Sequence, residues 1–253
     1  EDIEHAEVVV LVGSNTAENH PVIASRIKAA QKLRGQKLIV VDPRKHEMAE
    51  RADIFLRPNA STDPVWASAL SRYMFDHGLA DTEFLEHRVN NVEEYRKSLE
   101  PFTLAYAERI TGIPCQALID TAETIGRAKN VCLLWAMGIT QHSHGSDTST
   151  ALSNLLLVTG NYGKPGSGGY PMRGHNNVQG ASDFGCLRNM YPGYEKVTDP
   201  EARERWAKGW GVDPERLSDK IGEGNFLMVQ SADREAIKAM YIIGEETAFS
   251  DAN

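Results

Sequence analysis

The sequence predicts an α/β fold of the doubly wound kind: a mainly parallel sheet with helices on both faces, followed by the start of a second α/β domain. Three observations lead there. Short apolar, largely β-branched runs recur at Val8–Val12, Leu38–Val41, Ile54–Leu56 and Val131–Trp135, as strands buried on both faces require. Segments with 3.6-residue apolar spacing lie between them. Glycine or proline punctuates the junctions, which keeps connections short.

Each element has its own reason. Gly13 ends the first run, and Pro21 suits the first turn of a helix to Arg34, where Gly35 supplies the stop. Leu38–Val41 is closed by Asp42-Pro43, and Ile54–Leu56 precedes a turn-rich segment from Pro58 to Thr62. Asp63 and Pro64 open a helix to His77, with Gly78 at its carboxyl end. Further helices are predicted at Thr82–Arg88, Val92–Leu99, Thr103–Ile110 and Pro114–Ala128. After Val131–Trp135, Met137-Gly138 leads into a polar loop and a helix over Ser146–Thr159.

Beyond Gly160 the character changes. Eight of the 21 glycines fall between Gly163 and Gly193, around the stretch Met172–Gly180. Such crowding marks backbone bent through unusual dihedrals or pressed against a ligand. A charged helix, Pro200–Trp210, follows, then a poorly defined stretch and a predicted strand at Ala239–Ile243. A strand that opens an α/β unit so near the last residue implies a second domain cut short. The expected division is 1–173 for the first α/β domain and 174–253 for the glycine-rich loop and the partial second one.

Composition bounds the function. The chain has 253 residues, 41% hydrophobic and 25% charged, ordinary for globular material. A net charge of -8 argues against a nucleic-acid partner, which calls for a basic face. No apolar run is long enough to span a bilayer. Cys115, Cys132 and Cys186 are widely separated and form neither a disulfide framework nor a metal-ligand set. A reducing cytoplasm is the simplest compartment. The first residue is Glu1, with no signal peptide, which is expected of a processed or excised piece.

Three loops follow predicted strands at their carboxyl ends: Gly13–His20, Asp42–Lys45 and Met137–His144. Open α/β sheets bind ligands along that edge. Gly13-Ser14-Asn15-Thr16 places small polar groups and backbone N–H before a helix, a cradle for phosphate or ribose, without the G-x-G-x-x-G fingerprint. Asp42 is equally a nucleotide acceptor or a turn-forming Asp-Pro. Arg44 is either a nucleotide contact or a solvated charge. Thr140 and Gln141 offer neutral hydrogen bonds, and His142-Ser143-His144 is too sparse for a metal site. Arg173, set among Asn176, Asn177 and Gln179, is suited to grip a carboxylate or phosphate with two parallel hydrogen bonds. The residues alone describe a nucleotide-type ligand across strand ends beside an anion-binding arginine.

The sequence resembles the catalytic (alpha) subunit of molybdenum- or tungsten-dependent formate dehydrogenases, among the bis-molybdopterin guanine dinucleotide (bis-MGD) oxidoreductases. The resemblance rests on Gly13–Pro21, Val41–Lys45, Trp135–Gln141, Thr159–Gly166 and Arg173–Asp183, continued by Tyr191–Tyr194 and Tyr241–Glu245. It covers essentially the whole chain, and Arg173–Asp183 is its most specific part.

The resemblance implies roles by position. Asn15, Glu18 and Asn19 fall where the guanosine diphosphate part of the cofactor is held, and Asp42 and Arg44 where it meets the second strand. Ser61 and Asp63 match the loop before the next helix, with Asn59 and Ala60 read as inserted. Met137 and Gln141 fall near the pterin and phosphates. Arg173 matches the arginine that orients formate, and His175, glutamine in some members, is the second catalytic candidate and a pterin contact. The implied metal ligand, a Cys or selenocysteine, and the Cys set of a 4Fe–4S cluster match no position here. Formate, the remaining domains of the same subunit and an electron-transfer subunit are the implied partners, and the piece by itself is expected to be inactive. Rivals are a nitrate reductase-like relative and a cofactor-free scaffold in a respiratory complex.

Overall fold

A computed structural model describes residues 2–250. The chain forms two compact units, one ending at Gly174 and the other beginning at His175.

The first unit is built on a five-stranded sheet of order β3-β2-β1-β4-β5. Its strands are β1 (Val8–Val12), β2 (Lys37–Val41), β3 (Ile54–Leu56), β4 (Val131–Trp135) and β5 (Gly168–Pro171). Every pairing is parallel, with Val12 opposite both Val41 and Trp135. Strand alternation sorts the side chains into two cores. Val8, Val10 and Val12 pack with Trp66 and Leu70 of helix Asp63–Asp76, Leu118 of Cys115–Arg127 and Leu155 of Gly145–Val158. Val9 and Leu11 face Ala24 and Ile27 of helix Pro21–Arg34, with Met48 and Ala49. Burial on both faces accounts for the continuous apolar reading of β1, β2 and β4.

The chain steps outward from β1 to β2 and β3, then returns past β1 to β4 and β5. The order therefore reverses between β1 and β4, which in open α/β sheets is where the ligand crevice lies. Asn161 fastens this return: its Oδ1 accepts the Val131 N–H at 2.8 Å, and its Nδ2 donates to the Thr159 carbonyl at 3.1 Å.

Two expectations need correcting. The glycine-rich run contains β5, whose Gly-Gly-Tyr-Pro lacks β-branched residues. An edge strand needs only one ladder, and β4 supplies it through Cys132–Gly168 and the pairs beyond. Conversely, the strand expected at Ala239–Ile243 is not formed. No described segment offers that run a ladder, and its Tyr241 is 91% exposed. The second unit contains helices Val178–Asp183, Pro200–Trp210 and Asn225–Asp233, with isolated bridges Leu187–Met190 and Met190–Lys196. Tyr191, Trp206 and Trp210 pack together in it, and Trp206 Nε1 donates to Glu195 Oε2 at 2.7 Å.

Among the described residues, no helix is long and apolar enough to cross a membrane.

Candidate functional site at the strand ends

All five parallel strands present their carboxyl ends to one edge, and the loops leaving them carry the residues that the sequence singles out within the first unit. After β1, Gly13 turns the chain with φ +55°, a left-handed conformation that favours glycine. Ser14 Oγ and Thr16 Oγ1, both buried, share a hydrogen bond at 2.9 Å. The backbone N–H groups of Glu18 and Asn19 donate to the Asn15 carbonyl at 3.1 and 3.0 Å. Asn15 Oδ1 is buried yet accepts no hydrogen bond among the described residues. The side chains of Glu18 and Asn19 stand in solvent.

After β2, Asp42 is buried and its Oδ1 accepts the Arg44 N–H at 2.8 Å. The aspartate therefore shapes its own turn, and its Oδ2 lies 3.6 Å from His46 Nε2. Arg44 is exposed.

After β3, Asn59 is the anchor of the loop. Its N–H donates to the Thr111 carbonyl at 2.7 Å and its Nδ2 to the Ile110 carbonyl at 2.9 Å. The apparent insertion is therefore tied to the end of helix Leu104–Thr111. Ser61 follows at φ +64°, unusual for a residue with a side chain. Asp63 begins the next helix and accepts Trp66 Nε1–H at 3.0 Å. Burial pushes the Asp63 carboxyl up, with the Asp42 charge acting in the same direction and the Trp66 hydrogen bond and His142 opposing.

After β4, the backbone of Gly138 lies against that of Gly13, and its N–H donates to the Gly13 carbonyl at 3.2 Å. A Cβ on Gly138 would sit 2.6 Å from that oxygen, closer than any side chain tolerates. The two glycines thus allow the β1 and β4 loops to close on each other at the point of strand reversal. His142 spans the edge, with Nε2 2.9 Å from the Gly138 carbonyl and Nδ1 3.3 Å from Ser61 Oγ. Met137 and Gln141 are exposed beside it.

After β5, the Met172 N–H donates to the Trp135 carbonyl at 2.8 Å, extending the ladder to the foot of Arg173. Arg173 is exposed, and Met137 Sδ lies 4.0 Å from where a Cβ on Gly174 would sit. The structure thus brings Asn15, Asp42, Ser61, Asp63, Met137, Gln141 and Arg173 to one edge of one sheet. His175 lies in the second unit, exposed, its carbonyl accepting the Val178 N–H at 3.4 Å.

Sequence reasoning did not single out His46, which the fold places beside Asp42, and set His142 aside. His46 stands four residues after Asp42 and His142 directly after Gln141, so proximity in sequence was the available signal. Among the described residues, no group of three or more His, Cys, Asp and Glu is placed to hold a metal ion.

The chain is an α/β protein whose parallel sheet gathers glycine turns, the carboxylates of Asp42 and Asp63 and, beyond the edge strand, Arg173 along the carboxyl ends of its strands. The chain belongs to the molybdopterin oxidoreductase family, whose pattern matches residues 1–253. Membership implies a molybdopterin-type cofactor. The chain is 57% identical over 252 residues to the Bacillus subtilis (strain 168) protein named "Probable oxidoreductase YjgC". It is 53% identical over 253 residues to a "Putative formate dehydrogenase" of Staphylococcus haemolyticus, and 50% identical over 252 residues to another so named in Bacillus subtilis. Each match covers 100% of this chain and 25% of the relative, so the chain spans a quarter of their length. Among solved structures it is similar to the acetylene hydratase of Pelobacter acetylenicus, with TM-score 0.59 and 26% identity over 62% of this chain and 22% of that one.

Proposed function

We propose that the chain is the nucleotide-holding part of a formate dehydrogenase catalytic subunit, with the guanosine diphosphate end of a bis-MGD cofactor across the strand ends and formate at Arg173. The observation that carries this reading is the meeting of five strand-end loops at one edge, with an arginine leaving the last strand. The relatives named as formate dehydrogenases support the choice of substrate.

The residues present fit such a cofactor. Asn15 Oδ1 is a buried acceptor in want of a donor, which nucleotide N–H or ribose O–H groups supply. Asp42 adds a buried carboxylate and Asp63 a half-buried one at the same edge, and the turn at Ser14–Thr16 offers backbone N–H groups to phosphate. When bound, the cofactor with its molybdenum or tungsten supplies the redox chemistry that takes formate to carbon dioxide and passes two electrons toward a 4Fe–4S cluster of the whole protein.

The chain's own residues bind and orient. Asn15, Glu18 and Asn19 hold the guanosine diphosphate, Asp42 and Arg44 the guanine side, and Ser61 and Asp63 close the edge from β3. Met137, Gln141 and His175 serve the pterin. Arg173 receives the formate carboxylate through two parallel N–H···O bonds and, being always charged, keeps it anchored as charge shifts. The whole protein would work in the cytoplasm with an electron-transfer subunit, and the net charge of -8 on this chain argues against a nucleic-acid docking face on it.

The test uses the whole protein, purified and assayed for molybdenum and tungsten, for guanine nucleotide released on denaturation, and for formate-dependent dye reduction. The reading expects metal, two guanine nucleotides per metal and formate activity. A protein carrying the metal but reducing nitrate instead of oxidising formate overturns the substrate. One without metal or guanine nucleotide overturns the whole reading.

A further inference from the structure

His46 is a polar residue at the strand ends that the proposed function leaves unused. It stands immediately before the short helix Glu47–Glu50 and gives it no side-chain cap. Its side chain is 6% exposed, as is that of Asp42, and Nε2 lies 3.6 Å from Asp42 Oδ2. That separation is too long for a direct hydrogen bond. Neither ring nitrogen has a hydrogen-bond partner among the described residues. An imidazole always carries at least one N–H, so a buried donor is left unmatched. Proteins rarely bury such a group without something to pair it.

The second unmatched atom lies at the neighbouring strand end. Asn15 follows β1 and Asp42 follows β2, and those strands pair with Val12 opposite Val41. Asn15 Oδ1 and Asp42 Oδ2 are acceptors, whereas His46 brings a donor. Asp42 Oδ1 is already engaged by the Arg44 N–H. The missing counterpart is therefore a group that both donates and accepts. The edge of guanine, with its imino and amino N–H beside a carbonyl, has that character, and so does a ribose hydroxyl. Guanosine carries both.

We propose that His46 is a binding residue for the guanosine moiety: its free ring N–H, with Asn15 Oδ1 and Asp42 Oδ2, completes a polar socket that the nucleotide fills. The inference rests on the reading that guanosine diphosphate lies on these strand ends. A histidine that merely packs against helix Glu47–Glu50 makes the opposite prediction, because its loss would weaken the empty protein and leave nucleotide affinity alone.

The experiment uses cofactor-free whole protein with GDP as the probe, followed by titration calorimetry and thermal melting. Wild type should bind GDP and melt higher with it. His46→Leu should melt no lower than wild type without GDP, since an unmatched buried donor has been removed, yet bind GDP about tenfold more weakly. His46→Asn, which keeps a donor and an acceptor, should recover part of that loss. Unchanged GDP affinity in His46→Leu overturns the role of His46 and leaves the nucleotide reading standing. Absence of GDP binding by wild type overturns both. If His46→Leu fails to fold, His46→Asn is read on the same scale, and wild-type affinity together with a lowered melting point in it marks a packing residue.

Discussion

The contact between Gly13 and Gly138 gives the most quantitative handle on the site. In Gly138→Ala the new Cβ would lie 2.6 Å from the Gly13 carbonyl oxygen and 2.8 Å from its Cα. Ordinary contact begins at 3.4 Å, so the two loops must part by about 0.8 Å. Overpacking of this kind costs about 1–3 kcal/mol. Losing the Gly138 N–H to Gly13 hydrogen bond adds about 1 kcal/mol. Alanine in the short helix Met137–Thr140 returns about 1 kcal/mol of helix propensity. The net loss, about 1–3 kcal/mol, corresponds to a melting point lower by about 2–12 °C for a chain of this size. Gly209→Ala is the matched control: it lies within helix Pro200–Trp210 and meets nothing within 4 Å, so it should stabilise slightly. Calorimetric melting of both variants beside wild type is the assay. A Gly138→Ala protein that melts as high as wild type would refute the account of the loops closing through a glycine pair.

Other perturbations follow from the same structure. Asp63→Asn should gain stability relative to wild type as pH rises from about 3 to about 7. The reason is that burial raises the Asp63 carboxyl, and a raised carboxyl favours folding below its unfolded value and loses that contribution as pH climbs through the folded one. Melting points measured across that range check it, and a gain confined to acid would contradict it. Asn161→Ala should cost about 2–4 kcal/mol, because it strips the first N–H of β4 and the Thr159 carbonyl of partners inside the core; urea unfolding measures this. Alkylation of the native protein at pH 8 should mark the exposed Cys186 first and spare Cys132. The Cys132 thiol is pushed up to about 11, chiefly by burial. Rapid labelling of Cys132, read by mass spectrometry, would contradict its place in the sheet.

The sequence reveals the sheet where burial on both faces writes itself into composition. Val8–Val12 and Val131–Trp135 are legible because every residue in them must be apolar. β5 is not, because an edge strand of Gly168-Gly169-Tyr170-Pro171 carries no such demand and its pairing is decided by β4. Ala239–Ile243 misleads for the complementary reason: β-branched residues describe what a strand prefers, while a strand exists only where a neighbour offers hydrogen bonds. At the site, Asp42 and Ser61 could be located as strand-end loops, but their environments could not. That Asn59 is tethered to Ile110 and Thr111, or that His46 is buried beside Asp42, depends on chain segments brought together by the fold. The glycines at 13 and 138 read singly as turn formers, and only the return of the chain past β1 makes them a pair.

The most direct test of the central claim is Arg173→Ala in the whole protein, with kcat/KM for formate and molybdenum content measured on the same preparation. A fall of about 10²–10³-fold in kcat/KM, with metal content and melting point near wild type, is expected from the proposed role of Arg173 in gripping the substrate anion while other residues hold the cofactor. Loss of metal in proportion to activity, or full formate turnover without the guanidinium, would contradict it.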